Sequence, residues 1–292
     1  MVERRTVNPQ VVGSSPTRGA NFLKLASVLT GLFLAAAASG SGAADWRYSV
    51  GVHDFFVPDV DSHTYGLNGS VSVEDGANSG RHVFGSLEVF WDGDKDHLDP
   101  DHVPIWWQLH LGSDGDFWRG SRVRIGWTAN IDTRMNTVSS IERQITALPA
   151  FVGGYDGGVV QASLEAGIGW FFLEIDDDAP QKQGYDRSNL RNTTFAYAAT
   201  AKVALRLGES WAISGRARQW WDSRRTLESQ YQAALRMDAS NWLGGGSIKQ
   251  PALVLSADYY RYNLDVYNRP SPPPVLRWDD DLMIRLSLEA KW

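Results

Sequence analysis

From residue 46 onwards, apolar and polar residues alternate with a period of two, in runs longer than the five or six residues of a common soluble strand. The clearest run closes the chain. Leu282, Ile284, Leu286, Leu288, Ala290 and Trp292 fall on one face, with Arg285, Ser287, Glu289 and Lys291 on the other. Val160, Ala162, Leu164, Ala166, Ile168, Trp170 and Phe172 likewise stand opposite Gln161, Ser163 and Glu165. No helical periodicity is sustained over more than two turns. Read this way, the pattern predicts strands at 46–56, 63–74, 81–92, 103–112, 120–134, 138–153, 158–175, 192–208, 210–223, 227–240, 251–267 and 279–292. The eleventh changes phase near Tyr259 and Tyr260, which predicts either a bulge or a different strand boundary there.

A soluble sandwich alternates too, so the period alone does not choose an architecture. Three further features do. Strands of about ten residues or more match a tilted crossing of a bilayer. The connections Asp75–Gly80, Gly154–Gly157 and Gly208–Ser210 are tight, whereas the third, seventh and eleventh are long and polar, as when short turns face the periplasm and long loops face outwards. The five-to-six link, short for an outer loop, and Asn241–Gln250, long for an inner turn, fit this scheme less well. Finally, a charge facing lipid at midplane costs roughly 2–4 kcal/mol, and most strand charges lie in the polar phase. The exceptions, Arg143 and Glu174, fall at predicted outer strand ends, where the cost is small. The predicted fold is all-β: a single antiparallel transmembrane β-barrel of about twelve strands, an even number that leaves both termini on one side.

The segment before the barrel has another character. Phe22 to Ser39 carries one Lys, then an apolar stretch, then small residues running to Ala44, the layout of a secretory signal peptide cleaved before Asp45. Upstream, the run Val11–Gly19 (VVGSSPTRG) reads like the translated T-arm of a tRNA gene. Residues 1–22 are therefore expected to be a mis-called extension, 23–44 the signal peptide and 45–292 the barrel. An exported chain without cysteine must hold together without disulfides. The net charge is −6 for the whole chain, and the leader holds Arg4, Arg5, Arg18 and Lys24 against Glu3, so the remainder is more acidic still. That argues against nucleic acid as a partner. All 13 Trp and 10 Tyr follow the leader, and such amphipathic rings favour membrane interfaces.

The terminal alternating strand with its aromatic end, together with the signal peptide, resembles the bacterial outer-membrane β-barrel superfamily. More narrowly, the chain is similar in size to solitary autotransporter-like barrels without a passenger domain. The resemblance implies outer-membrane localisation, with outer-membrane lipids and lipopolysaccharide as surroundings. It also implies recognition of the last strand, here Leu286, Leu288 and Trp292, by the barrel-assembly machinery.

Inside such a barrel the polar phase would carry Arg122, Arg124, Lys202, Arg206, Arg216, Arg218, Arg236 and Arg285. They would face Glu88, Asp132, Glu142, Glu165, Asp238, Asp258 and Glu289. A ring of such charges selects solutes in a pore, whereas the same charges paired off would fill the interior. Asp92, Asp94 and Asp96 begin an acidic loop offering the hard oxygens that Ca²⁺ prefers, without the glycine and distal glutamate of an EF-hand; a solvated acidic loop reads the same way. Asp176–Asp178 and Asp279–Asp281 would add to an acidic outer mouth. Ser86, Glu88 and His110 share the inward phase of adjacent strands, which makes a hydrolytic cluster conceivable and ordinary lumen polarity the simpler account. The expected function is passage of small polar solutes through a narrow charge-lined lumen, without a cofactor or catalysis. The alternatives are a non-conducting barrel acting through its outer loops and, third, a lipid-modifying enzyme.

Overall fold

The structure, a computed structural model, describes residues 44–75, 81–93, 105–135, 141–175, 191–223, 225–243, 249–263 and 279–291. Twelve antiparallel strands form a closed barrel in which each pairs with its sequence neighbours and the last returns to the first. They are β1 Asp45–Val57, β2 Ser62–Asp75, β3 Arg81–Asp92, β4 Ile105–Arg119, β5 Val123–Met135 and β6 Ile141–Asp156, then β7 Val160–Ile175, β8 Arg191–Leu207, β9 Trp211–Trp221, β10 Thr226–Asp238, β11 Lys249–Tyr262 and β12 Asp280–Lys291. β12 closes on β1 in continuous register from Arg47↔Lys291 to Phe56↔Leu282. Closure leaves no edge strand, so every backbone N–H and C=O can be paired without water.

Alternation decides which face meets what. Val50, Val52, Leu164, Ile168, Phe151, Phe195 and Leu286 all point outwards and stand exposed. A barrel whose large apolar side chains cover its outside is built for lipid, and no helix among the described residues could cross a membrane in its place. Tyr48, Trp118, Tyr155 and Trp211 sit near the end that carries both chain termini; Tyr65, Trp91, Tyr197 and Tyr231 sit towards the other. Rings gathered at both ends of an apolar outer surface have the pattern of the two aromatic girdles of a membrane barrel; the end holding the termini is named the periplasmic end, after the expectation that the short turns face the periplasm.

At the outer ends of β6, β7 and β8, charges in the lipid phase gather around one carboxylate. Arg143, Glu174 and Arg191 stand side by side in one cross-strand row at the outer ends of β6, β7 and β8. Glu174 takes Arg143 Nε at 3.5 Å and Arg191 Nε at 2.6 Å.

Several boundaries differ from the sequence reading, and three strand ends among them have a physical reason. β4 runs on to Arg119, through Gly112–Asp116, because Asp114 and Asp116 point inwards and meet Arg124 on β5. β6 continues to Asp156, so the turn falls on 157–159, where Gly158 adopts φ 83°. β11 stops at Tyr262. Of the two expectations near Tyr259 and Tyr260, it is the boundary that differs and not the register: the pairs Tyr231↔Tyr259 and Gln230↔Tyr260 follow without a bulge. The apparent phase change arises because Tyr260 and Tyr262 are aromatic residues turned into the barrel. The irregularity in β11 lies between Lys249 and Ala252. The long inner connection begins as a short helix, α1, Ser240–Leu243.

Candidate functional site

The interior divides along the barrel axis. In the outer half, the inward faces are packed. Phe55, Val57, Phe90, Trp106 and Met283 form one apolar cluster, with the Phe90 and Trp106 rings stacked at 3.8 Å. A second, including Leu148, Phe171, Leu173, Trp220 and Leu227, lines the opposite wall. His53 and Asp92 are buried at the edge of the first, joined at 2.8 Å, and Trp106 Nε1 donates to the same Asp92 oxygen at 3.3 Å.

Arg134 of β5 lies between the two clusters. Its guanidinium donates from Nη1 and Nη2 to the two Asp281 oxygens, both at 3.0 Å, and from Nη1 to the Tyr262 hydroxyl. The Tyr260 ring lies 4.2 Å beneath it, with Phe55 and Trp106 at 5.5 and 5.7 Å. β11 is half-way round the ring from β5, so this one side chain spans the lumen. Two further bonds cross between non-adjacent strands at neighbouring levels: Gln144 of β6 donates to Glu228 of β10, and Arg218 of β9 to Asp132 of β5. Arg134, Asp281, Glu228, Gln144, Gln230, Tyr260 and Tyr262 are all buried. A guanidinium held in this way needs its bidentate carboxylate, because an unpaired charge out of water is strongly destabilising.

Towards the periplasm the lumen opens. A cavity of about 700 Å³ runs inwards from the turn residues Gly120–Arg122 and Asp156, past Lys202, Ser214, Arg216, Gln232 and Asp258. A second, of about 220 Å³, shares Arg216, Gln232 and Arg285 with it and ends against Arg134, Gln144 and Tyr260. Side by side, the two cavities make up a vestibule between the turn residues and the Arg134 layer. Its lining charges are partly paired: Lys202 with Glu165, and Arg285 with Glu88 and Asp258.

Of the residues expected to line the lumen, Arg124, Lys202, Arg206, Arg216, Arg218, Arg236, Arg285, Glu88 and Glu165 lie on the inward phase of their strands. Arg206 is exposed near the periplasmic rim. Arg122 is not in a strand; it is in the β4–β5 turn at the vestibule mouth, because β4 is longer than its Gly-Asp composition implies. Asp281 does not join an acidic outer mouth: it is turned inwards and held by Arg134. Asp92 likewise is inside, engaged by His53 and Trp106, while Asp94, Asp96 and Asp176–Asp178 lie outside the described residues. Leu286 and Leu288 face outwards on β12, and Trp292 lies outside the described residues.

Ser86, His110 and Asp132 are register partners across β3, β4 and β5. His110 Nδ1 bonds Asp132 at 2.6 Å, but Ser86 makes no hydrogen bond to His110, and Glu88 is taken by Arg285. With Asp132 also held by Arg218, the histidine belongs to a charge network rather than to an activated serine. At the centre of the outer layer, Arg134, Gln144 and Glu228 were not singled out by the sequence reading, and Asp281 was expected at an outer mouth instead. Their partners lie 84 to 147 residues away along the chain, beyond any local spacing signal.

No family model matches the chain, and no curated protein matches it by sequence. Among solved structures it is similar to the KdgM porin, at 7% identity and TM-score 0.42 over 86% of this chain and 99% of that one, in a complex with disordered oligogalacturonate. It is similar to an anion-selective porin from Comamonas acidovorans, at 7% identity and TM-score 0.40 over 86% and 99%. The translocator domain of the autotransporter NalP from Neisseria meningitidis is similar at 10% identity and TM-score 0.40, over 95% and 99%. These likenesses are to outer-membrane barrels and do not reach solute or mechanism.

Proposed function

We propose that this protein is a narrow, charge-lined channel of the outer membrane for small polar solutes, standing closed at the Arg134 layer. The observation that carries this reading is the pair of adjoining cavities, which share Arg216, Gln232 and Arg285 and together occupy the lumen from the turn residues to Arg134. A filled barrel has no need of such hollows along its charged wall; a gated passage does. Closure then resides in a few side chains reaching across from opposite walls, not in the strands.

The test is conductance of the refolded protein in planar bilayers. Wild type should give small, infrequent steps. Arg134→Ala combined with Asp281→Asn removes both charges of the crossing pair, so neither is left stranded, and should raise conductance and open time together. Arg216→Ser with Arg218→Ser should shift ion preference towards cations, because fixed positive charge leaves the wall. A second reading is favoured by the crossing bonds themselves: a non-conducting barrel acting through its outer loops. It takes over if both wild type and the Arg134 variant insert as folded barrels and neither conducts.

A further inference from the structure

Among the described residues, two arginines lining the vestibule have no carboxylate within ion-pair distance: Arg122 at the mouth and Arg216 deep in the wall. Lys202 is matched by Glu165, Arg218 by Asp132, Arg124 by Asp114 and Asp116, and Arg285 by Glu88 and Asp258. Arg216 stands among them, the register partner of Lys202 and two residues from Arg218 on the same face. Among the described residues no carboxylate lies within ion-pair distance of it. It makes a single long hydrogen bond, Nη1 to Gln232 Oε1 at 3.4 Å, and its Nε is buried without a partner. Placing a third cation beside two others, with no anion of its own, is unfavourable for the empty barrel. The side chain is nonetheless reachable, because it lines both cavities.

We propose that Arg216 is the base of an oxyanion-binding site in the periplasmic vestibule, with Lys202 as its second cation. The ligand class is a small solute ending in a phosphate or carboxylate group. The planar guanidinium fork suits either end bidentately, and the ammonium adds a point charge from the neighbouring strand. The Ser163, Ser214 and Ser256 residues line the same cavity and offer hydroxyls to the remainder of the ligand. The volume, about 700 Å³, is that of a small-molecule site. The site rests on the charge-lined vestibule of the channel reading, but its occupation does not require that the lumen conduct.

Calorimetric titration of detergent-folded full-length barrel tests it, with pyrophosphate in one arm and malonate in the other, at constant ionic strength set with sodium chloride. Saturable one-site binding in either arm is expected, and the stronger arm identifies the preferred oxyanion. Arg216→Gln should weaken that binding about tenfold or more, since a charge-assisted hydrogen bond pair is lost. Arg216→Lys should retain part of it. Arg261→Gln, which removes an equal charge on the outer surface, should leave it unchanged. In phosphate-free buffer Arg216→Gln should unfold no earlier than wild type, because it relieves repulsion from Arg218 and Lys202. Absence of saturable binding in both arms, equal affinity in Arg216→Gln, or a loss of phosphate-free stability in that variant would each overturn the site. Binding without conductance sinks the channel and leaves the site standing; conductance without binding does the reverse.

Discussion

In the outer half of the lumen, Arg134 meets Asp281 with the two side chains 3% and 0% exposed; in the periplasmic half, Lys202 meets Glu165 with the lysine 41% exposed. Both are ion pairs inside the same barrel, between inward-facing strand positions. What differs is access to water. Around Arg134 the aromatic rings of Phe55, Trp106 and Tyr260 exclude solvent, and the guanidinium is held by Asp281 and the Tyr262 hydroxyl. Lys202 instead borders an open cavity, where water can reach the pair. A barrel of intermediate strand number can thus be filled at one level and hollow at the next. The rings decide which, more than the charges do.

The strongest way to break this contrast is to strand a charge in the outer layer. Asp281→Ala removes the bidentate partner of Arg134 while leaving its guanidinium buried among apolar rings. The expected loss is about 3–5 kcal/mol, read from urea unfolding of the refolded barrel. Arg134→Ala with Asp281→Asn should cost clearly less than Asp281→Ala alone, because no charge is left without a partner. Equal losses would mean that the layer holds the barrel by shape rather than by charge.

A second variant sharpens the comparison from outside. Leu286 lies on the outward face of β12, 50% exposed, directly behind the lumen wall that carries Arg285. Leu286→Arg places on the lipid side the same charge that the inner side accommodates one residue away. It should cost roughly 2–4 kcal/mol if the site lies near midplane, and lower the folded yield by heat-modifiable gel mobility. If Leu286→Arg unfolds with wild type, the outer face does not meet hydrocarbon there.

The strand count and the inward or outward sense of each residue were legible in the sequence because lipid on one side and water or polar wall on the other enforce a strict period of two. Legibility failed where that enforcement lapses. Residues 113–119 fall between two predicted strands, yet they are strand, since two aspartates in a polar lumen need not interrupt pairing and Arg124 stands ready to neutralise them. Tyr260 and Tyr262 read as a change of phase because a packed lumen admits aromatic rings on its inward face. For the candidate site, the wall cations were visible as a class, but their partners were not. Arg134 and Asp281 are 147 residues apart and meet only because the barrel closes. Nothing in the alternation distinguishes Arg216, which lacks a carboxylate, from Arg218, which has one; that distinction depends on where Asp132 reaches from the opposite wall.

The mildest test is the vestibule pair itself. Lys202→Ala removes the ammonium from Glu165, whose side chain is 5% exposed and would seem as vulnerable as Arg134 when its partner goes. The surroundings argue otherwise. Lys202 itself lines the 700 Å³ cavity, so water can take its place against the Glu165 carboxylate at little cost. Arg216, opposite Lys202 in register, is a second cation close enough to adopt the freed carboxylate, and it has none of its own. A solvated pair of this kind contributes about 0–1 kcal/mol, and the expected loss in urea unfolding falls in that range. The double variant Lys202→Ala with Arg216→Gln removes the substitute as well and should lose more than the two single variants combined. Strict additivity would show that Arg216 does not turn to Glu165. A loss of about 3 kcal/mol or more from Lys202→Ala alone would make the vestibule as dry as the outer layer, and the division of the lumen into two halves would fall.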